Sequence, residues 1–371
     1  MGARRPLIAS VIGTRPEAIK MAPLIRELSR QDDLDQQIIL TGQHAGLADH
    51  FGSLPVRDLA IDPSHQSAGE IRESIHHALC GHFVRRPVDL VLVQGDTTSA
   101  FAGALAAKDC EIPVGHVEAG LRSGALQQPW PEEINRIAID EVSALLFAPS
   151  EGAAGNLETE AVDGAIHITG NTGIDALFEV RDSLPGHPAP EDDARKTILV
   201  TCHRRESRGR TLEGIAAALK RIVRTLPVRI ILPVHTNPHV RRAIERHLAH
   251  EPHISLIKPL GYEEMVALML QSWLILSDSG GLQEEGPALG RPVLILRDVT
   301  ERDEAISSGG AALVGTGPER IVAAVSALVT DEARYKRMAT PSFPFGEGDA
   351  AVRIADVIAD FLLESHRAAV R

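Results

Sequence analysis

Several common chemistries are missing from this sequence. Its three cysteines, Cys80, Cys110 and Cys202, are odd in number and widely spaced, so they build neither a disulfide framework nor a zinc pattern and read as small hydrophobes. The apolar run near the N-terminus, Leu7 to Ile12, ends in Gly-Thr-Arg-Pro and is too short for a secretion signal or a membrane span, so a cytoplasmic location is expected. Basic charge is short as well. Thirty-eight Lys and Arg against 50 Asp and Glu leave a net charge of −12, which argues against nucleic-acid and anionic-membrane partners. Any anionic ligand must therefore be held locally. No strand runs into Gly-x-Gly-x-x-Gly, since Gly315-Thr-Gly317 stops at Arg320, and no Walker P-loop is present, so dinucleotide and P-loop chemistry are excluded. Sixteen histidines suggest metal, yet His235 and His239 straddle Pro238 without a His-Glu-x-x-His helix, and His76, His77 and His82 fall on an expected surface helix. No metal and no cofactor are expected. The lack of short-period repeats excludes solenoids.

What is there is a repeating strand, turn and helix. At 371 residues and 44% hydrophobic content the chain should form two globular domains. Leu7 to Ile12 reads as a strand and Gly13-Thr-Arg-Pro-Glu17 as a turn with Pro16 at the first helical position. Ile19, Ala22, Ile25 and Leu28 form the apolar stripe of a helix that Pro23 should kink or delay. Further strands are expected at Gln37 to Leu40, Asp89 to Val93, Pro113 to Val117, Ala144 to Ala148 and Ile166 to Ile168. After a change of texture between Thr169 and Thr197, they resume at Thr197 to Thr201, Arg229 to Leu232, Ile254 to Ile257, Leu274 to Ser277 and Pro292 to Leu296. Such alternation predicts an α/β protein of two doubly wound, Rossmann-like domains facing a central cleft. Residues 1–170 form the first, 171–348 the second, and a C-terminal helix at 349–371 is expected to pack back on the first.

Polar residues gather just after the strands, where open α/β sheets take their ligands. The N-terminal set is Arg15, Lys20, Asp96, Glu118, Glu132 and Glu133; the C-terminal set is His203, His235, Ser279, Glu285 and Arg302. Ser279-Gly280-Gly281 lies where the strand from Leu274 breaks into a helix, so backbone N–H groups can face an anion. A plain capped turn is the alternative. Glu284 and Glu285 should then occupy the first helical turn, where one of them suits a sugar hydroxyl better than a phosphate. Several carboxylates in one cleft can separate a proton donor from an acceptor. For Asp96, Glu132 and Glu133 helix capping is the competing explanation, whereas Glu118 ends a buried strand with no cap to make. His203 also ends a strand and is followed by Arg204-Arg205, a costly neighbourhood without an anion.

Six blocks in order carry a resemblance. Gly13-Thr-Arg-Pro-Glu-Ala-Ile-Lys-Met-Ala-Pro-Leu24, Gln94-Gly-Asp-Thr-Thr98, Gly115-His-Val-Glu-Ala-Gly-Leu-Arg122, Pro131-Glu-Glu-Ile-Asn-Arg136, His203-Arg-Arg-Glu-Ser207, and Ser277-Asp-Ser-Gly-Gly-Leu-Gln-Glu-Glu285 with Thr300-Glu-Arg302 resemble the non-hydrolysing UDP-N-acetylglucosamine 2-epimerases. The resemblance implies a glycosyltransferase B type fold and a homodimer. It also implies interconversion of UDP-N-acetylglucosamine and UDP-N-acetylmannosamine without added cofactor, in service of cell-surface polysaccharide. By matching positions it implies Asp96, Glu118 and Glu132 as acid–base groups, and Arg15, His203 and Ser279-Gly280-Gly281 as stabilisers of the departing diphosphate. Lys20 supports the site, Glu285 takes the ribose hydroxyls, and Arg302 helps hold the nucleotide sugar.

Two departures matter. Leu260 and Met265 stand where the family has glutamine and phenylalanine beside the uracil. Ala45-Gly46 follow Gln43-His44, and Asp62-Pro-Ser-His-Gln66 supplies no arginine, so the site at which bacterial members bind a second substrate molecule as activator is expected to be weakened or lost. A hydrolysing epimerase, a retaining glycosyltransferase and a non-catalytic nucleotide-sugar sensor are the rival readings; a sensor could dispense with Asp96, Glu118 and Glu132.

Overall fold

The computed structural model describes residues 4–44, 46–62, 64, 67–127, 129–185, 195–202, 209–234 and 238–369. The chain separates into two units, one made of the residues up to Ala176 together with those from Phe345, the other of Leu177–Pro344. In the first, strands β1 (Leu7–Ile12), β2 (Asp35–Leu40), β3 (Val56–Asp58), β4 (Leu90–Gln94), β5 (Val114–Val117), β6 (Leu145–Ala148) and β7 (Ala165–Ile168) form one sheet in the order β3-β2-β1-β4-β5-β6-β7. In the second, β8 (Lys196–Thr201), β9 (Val228–Pro233), β10 (Ile254–Ile257), β11 (Leu274–Ser277), β12 (Val293–Ile295) and β13 (Ala311–Leu313) lie in the order β10-β9-β8-β11-β12-β13. Every pairing is parallel. Both units therefore wind outward from their first strand in two directions, and the expected α/β, doubly wound fold is what the chain adopts.

β1 shows why its sequence is a continuous apolar run. Side chains alternate across a strand, and both faces of a parallel sheet are covered. Ile8 and Ile12 join Met21, Leu24 and Ile25 of the helix Arg15–Leu28 and Ile354, Ile358 and Leu362 of the C-terminal helix Ala350–Ala369. Leu7, Ala9 and Val11 face Leu79 and the small residues of the helix Thr98–Asp109. That helix lies close on the sheet: a Cβ on Gly103 would sit 3.1 Å from both Val11 and Val93.

The helix Arg15–Leu28 runs on through Pro23, because the buried face formed by Met21, Leu24, Ile25 and Leu28 outweighs one missing hydrogen bond. β3 and β13 were not anticipated. Each has three residues and sits at a sheet edge, too short for a period to emerge. Among the described residues no helix is long and apolar enough to cross a membrane.

The order reverses between β1 and β4 in the first unit and between β8 and β11 in the second. In doubly wound sheets ligands bind beyond the carboxyl ends of strands at such switch points.

Candidate active site

The turn after β1 is occupied by its own side chain. Thr14 caps the helix Arg15–Leu28, and the Glu17 carboxylate accepts from the backbone N–H of Thr14 at 2.6 Å and of Gly13 at 3.1 Å. Its other oxygen accepts the Thr97 hydroxyl from beyond β4 at 2.7 Å. Glu17 thus ties the two turns of the switch point together and fills the place where a phosphate would otherwise meet this helix N-terminus. Arg15 is exposed at the first helical position, and its backbone N–H donates to His44 Nδ1 at 3.2 Å.

Burial pushes Glu17 from 4.5 up to about 7, against the lowering effect of its hydrogen bonds to Thr97, Thr14 and Gly13. The folded state therefore keeps a proton that the unfolded chain releases. This contribution is complete below about pH 4.5 and lost as pH rises through 7; in all it amounts to about 3 kcal/mol. Glu17→Gln is expected to flatten that part of the stability–pH slope. Urea unfolding followed across this range checks it, and an unchanged slope in the variant would refute it.

Glu118 is the most closely held of the expected acid–base residues. It follows β5 with φ at +69°, a left-handed conformation that costs a non-glycine residue on the order of 1–3 kcal/mol unless its surroundings impose it. Backbone N–H groups of Glu118 and Ala119 both donate to Phe147 O, at 3.1 and 3.0 Å. Lys20 Nζ forms a close ion pair with Glu118 Oε2, and the same oxygen accepts Gln94 Nε2 at 3.1 Å and Asn171 Nδ2 at 2.8 Å.

Asp96 is held from a different element. Arg136 is buried, pairs closely with Asp96 and reaches Glu133 at 3.1 Å, while Asn135 Nδ2 donates to the backbone O of Asp96 at 2.8 Å. Thr97, not Asp96, caps the helix Thr98–Asp109, so the capping explanation for Asp96 does not apply. The two adjacent glutamates also separate. Glu133 is buried and structural, accepting the backbone N–H of Ser123 at 2.9 Å, whereas Glu132 is half-buried at the first residue of the helix Glu132–Val142. That helix therefore presents Glu132 one turn before the residues that fix Asp96.

Beneath both lies a pair that the motif reading passed over. His116 on β5 is fully buried, with Nε2 2.8 Å from Gly95 O and Nδ1 2.5 Å from Asp140 Oδ1. Asp140 also accepts from Gly120 N at 3.2 Å and from Arg122 at 2.8 Å. Burial alone would raise its carboxyl; the His116 and Arg122 partners hold it below the usual carboxylate range. This pair locks the Gly95-Asp96 and Glu118-Ala-Gly120 turns to one helix. A polar residue at an inward position of a buried strand was the available signal.

In the second unit β11 is wholly buried and the chain turns through Asp278 and Ser279 into the helix Gly280–Ala288. Ser279 makes no side-chain cap, and nothing lies within 4 Å of where a Cβ on Gly281 would be, so the backbone there is accessible. Gly280 is required for a different reason. A Cβ would lie 2.7 Å from Arg302 Nη1, because the Arg302 guanidinium packs under the turn. Arg302 bonds Glu284 at 2.5 Å and pairs closely with Glu301, which also meets Arg297 at 2.9 Å. All four side chains are buried. Gln283 donates to Ser279 O at 3.1 Å and accepts the Thr300 hydroxyl at 2.5 Å, bracing the same turn.

Glu284 and Glu285 lie in the second helical turn rather than the first, since the helix begins at Gly280. Glu284 is the carboxylate committed to Arg302. Glu285 accepts the Tyr262 hydroxyl at 2.9 Å. Burial, with Glu285 beside it, pushes that phenol well above its ordinary value, so it donates as a neutral group. Leu260 and Met265 are half-buried, one before and one within the helix Tyr262–Gln271. His203, Arg204, Arg205 and His235 lie outside the described residues, as do Ala45, Pro63, His65 and Gln66. Gln43 is turned to Ser99, whose hydroxyl it accepts at 2.8 Å. His82 is buried and meets Gln37 at 3.3 Å, rather than lying on the surface as expected.

Two doubly wound parallel sheets with polar residues gathered at their switch points define an α/β protein of Rossmann-like architecture. The chain belongs to the UDP-N-acetylglucosamine 2-epimerase family, whose model matches residues 26–359. UDP-N-acetylglucosamine 2-epimerase of Escherichia coli K12 is 44% identical over 368 residues, covering 95% of this chain and 98% of that protein. Among solved structures, UDP-GlcNAc 2-epimerase from Neisseria meningitidis bound to UDP-GlcNAc is 38% identical with a TM-score of 0.88, covering 95% of this chain and all of that one (100%). The Methanocaldococcus jannaschii enzyme in complex with UDP-GlcNAc and UDP is 32% identical with a TM-score of 0.83, over 95% of this chain and 99% of that one. The motifs' resemblance to UDP-N-acetylglucosamine 2-epimerases agrees with the family found.

Proposed function

We propose that this chain interconverts UDP-N-acetylglucosamine and UDP-N-acetylmannosamine by eliminating UDP to a glycal and adding it back. A carboxylate takes the C2 proton as the C1–oxygen bond to UDP breaks; UDP then attacks C1 of the glycal while a proton is delivered to the other face of C2. The observation that carries this reading is the pair of anchored carboxylates, Asp96 held by Arg136 and Glu118 held by Lys20, at the ends of adjacent strands β4 and β5. Two such groups in separately fixed environments suit a reaction that needs a proton taken and a proton given. Glu132 completes the set as a third candidate.

Because the C2 proton is weakly acidic, departure of the diphosphate has to supply much of the drive, and its charge must be stabilised where it develops. In this reading the open backbone at Ser279-Gly280-Gly281 receives the diphosphate, with Arg15 and His203 adding positive charge. Arg302 holds the turn from beneath, and Glu285, oriented by Tyr262, takes the ribose hydroxyls. Leu260 and Met265 offer apolar contact to the base without ring stacking. The working assembly is taken to be a homodimer.

Proton NMR of UDP-N-acetylglucosamine with the protein in deuterated water tests the proposal. The expected result is loss of the C2 proton signal together with new manno resonances and no build-up of free UDP. Started from UDP-N-acetylmannosamine alone, the rate should depend hyperbolically on substrate. Accumulating UDP would instead favour a hydrolysing epimerase, and turnover without exchange at C2 would refute the mechanism.

A further inference from the structure

We propose that Asn171 is a positioning residue for Glu118, fixing the orientation of the carboxylate that handles the proton; the inference rests on the epimerase reading above. Asn171 stands in the Gly170-Asn-Thr-Gly173 segment after β7, at the boundary expected between the two domains. It is 1% exposed. Its backbone N–H donates to Phe345 O at 2.7 Å, and its side-chain Oδ1 accepts from Gly173 N at 3.1 Å. With Oδ1 so occupied, the amide has one orientation. Nδ2 faces Glu118 Oε2 at 2.8 Å, and a flip would set oxygen against carboxylate.

Backbone packing fixes the segment further. Gly170 has φ at +87°, and a Cβ there would lie 3.0 Å from Gly346 Cα, so the two chain segments meet backbone to backbone. Asn171 is thus set by the chain returning at Phe345-Gly346, and it passes that placement to a carboxylate 53 residues earlier in sequence.

Glu118 Oε2 receives Lys20, Gln94 and Asn171. Gln94 and Asn171 can only donate from the nitrogens they turn to Glu118. Neither competes for the proton, and together they hold the carboxylate plane while Lys20 supplies charge.

Asn171→Asp keeps the acceptor for Gly173 N–H and replaces the donor to Glu118 with a charge of like sign. The expected result is a fall in kcat for C2 exchange of roughly 10- to 100-fold, the scale of a lost hydrogen bond to a charged group. The KM for UDP-N-acetylglucosamine and the Kd for UDP should change less than about twofold, since the altered contact is to the acid–base group. In a Glu118→Gln background the same substitution should cost little more, because residues that act through one another are non-additive. Should Asn171→Asp not fold, Asn171→Ser retains a turn-forming oxygen but does not reach Glu118, and the same losses are expected. Wild-type exchange with unchanged kcat in the folded variant, or fully additive losses with Glu118→Gln, would overturn the role of Asn171 alone. Absence of exchange by the wild type would overturn the epimerase reading and this inference with it.

Discussion

Glu118→Gln is expected to lower kcat for epimerisation by about 10³-fold, within the usual range for removing a positioned acid–base group. Glutamine has nearly the same shape, so the turn after β5, fixed by Phe147 O and by the His116–Asp140 pair, should persist. What changes is chemistry. The amide cannot exchange the C2 proton, and Lys20 loses the carboxylate with which it pairs. The Kd for UDP should stay within about a factor of two, because binding and proton transfer draw on different residues. Single-turnover exchange of deuterium into C2, alongside calorimetric titration with UDP, distinguishes the two effects. Exchange at the wild-type rate would remove Glu118 from the mechanism.

The second large effect is expected from Arg302→Met. Arg302 is 5% exposed and bonded to Glu284 and Glu301, themselves 3% and 4% exposed. Removing the cation breaks a buried ion pair by one partner, which typically costs roughly 3–5 kcal/mol. Glu301 keeps Arg297 at 2.9 Å, whereas Glu284 loses its 2.5 Å bond to Arg302. Glu284→Gln in the same chain should therefore restore part of the loss. UDP affinity should fall as well, since the guanidinium supports the Gly280 backbone. Urea unfolding of the single and double variants measures the first claim, and calorimetry with UDP the second. A loss below about 1 kcal/mol would mean that this network does not carry the turn.

Much of the architecture was legible from local pattern. β1, β4, β8 and β11 are continuous apolar runs because their sheets are covered on both faces, and each ends in residues that cannot continue a buried strand. The polar ends of β1, β4, β5 and β11 identified Arg15, Asp96, Glu118 and the Ser279-Gly280-Gly281 turn as a candidate site, and six blocks in order carried the resemblance to the family. β3 and β13 were missed because three residues carry no period. Glu284 was misplaced because a helix start cannot be assigned to the residue without seeing its cap.

Partner choice lies on another scale. Glu118 looked unusual for want of a local cap, yet Lys20, Gln94 and Asn171, which explain it, come from three separate elements. Arg136 rather than any neighbour of Asp96 holds that carboxylate, and Arg302 selects Glu284 over Glu285 across a turn. Propensity and hydrophobic period act over a few residues, so they place strands, turns and the kinds of side chain at their ends. Which oxygen meets which donor, and hence which carboxylates are committed to structure and which are left for chemistry, depends on elements brought together by folding.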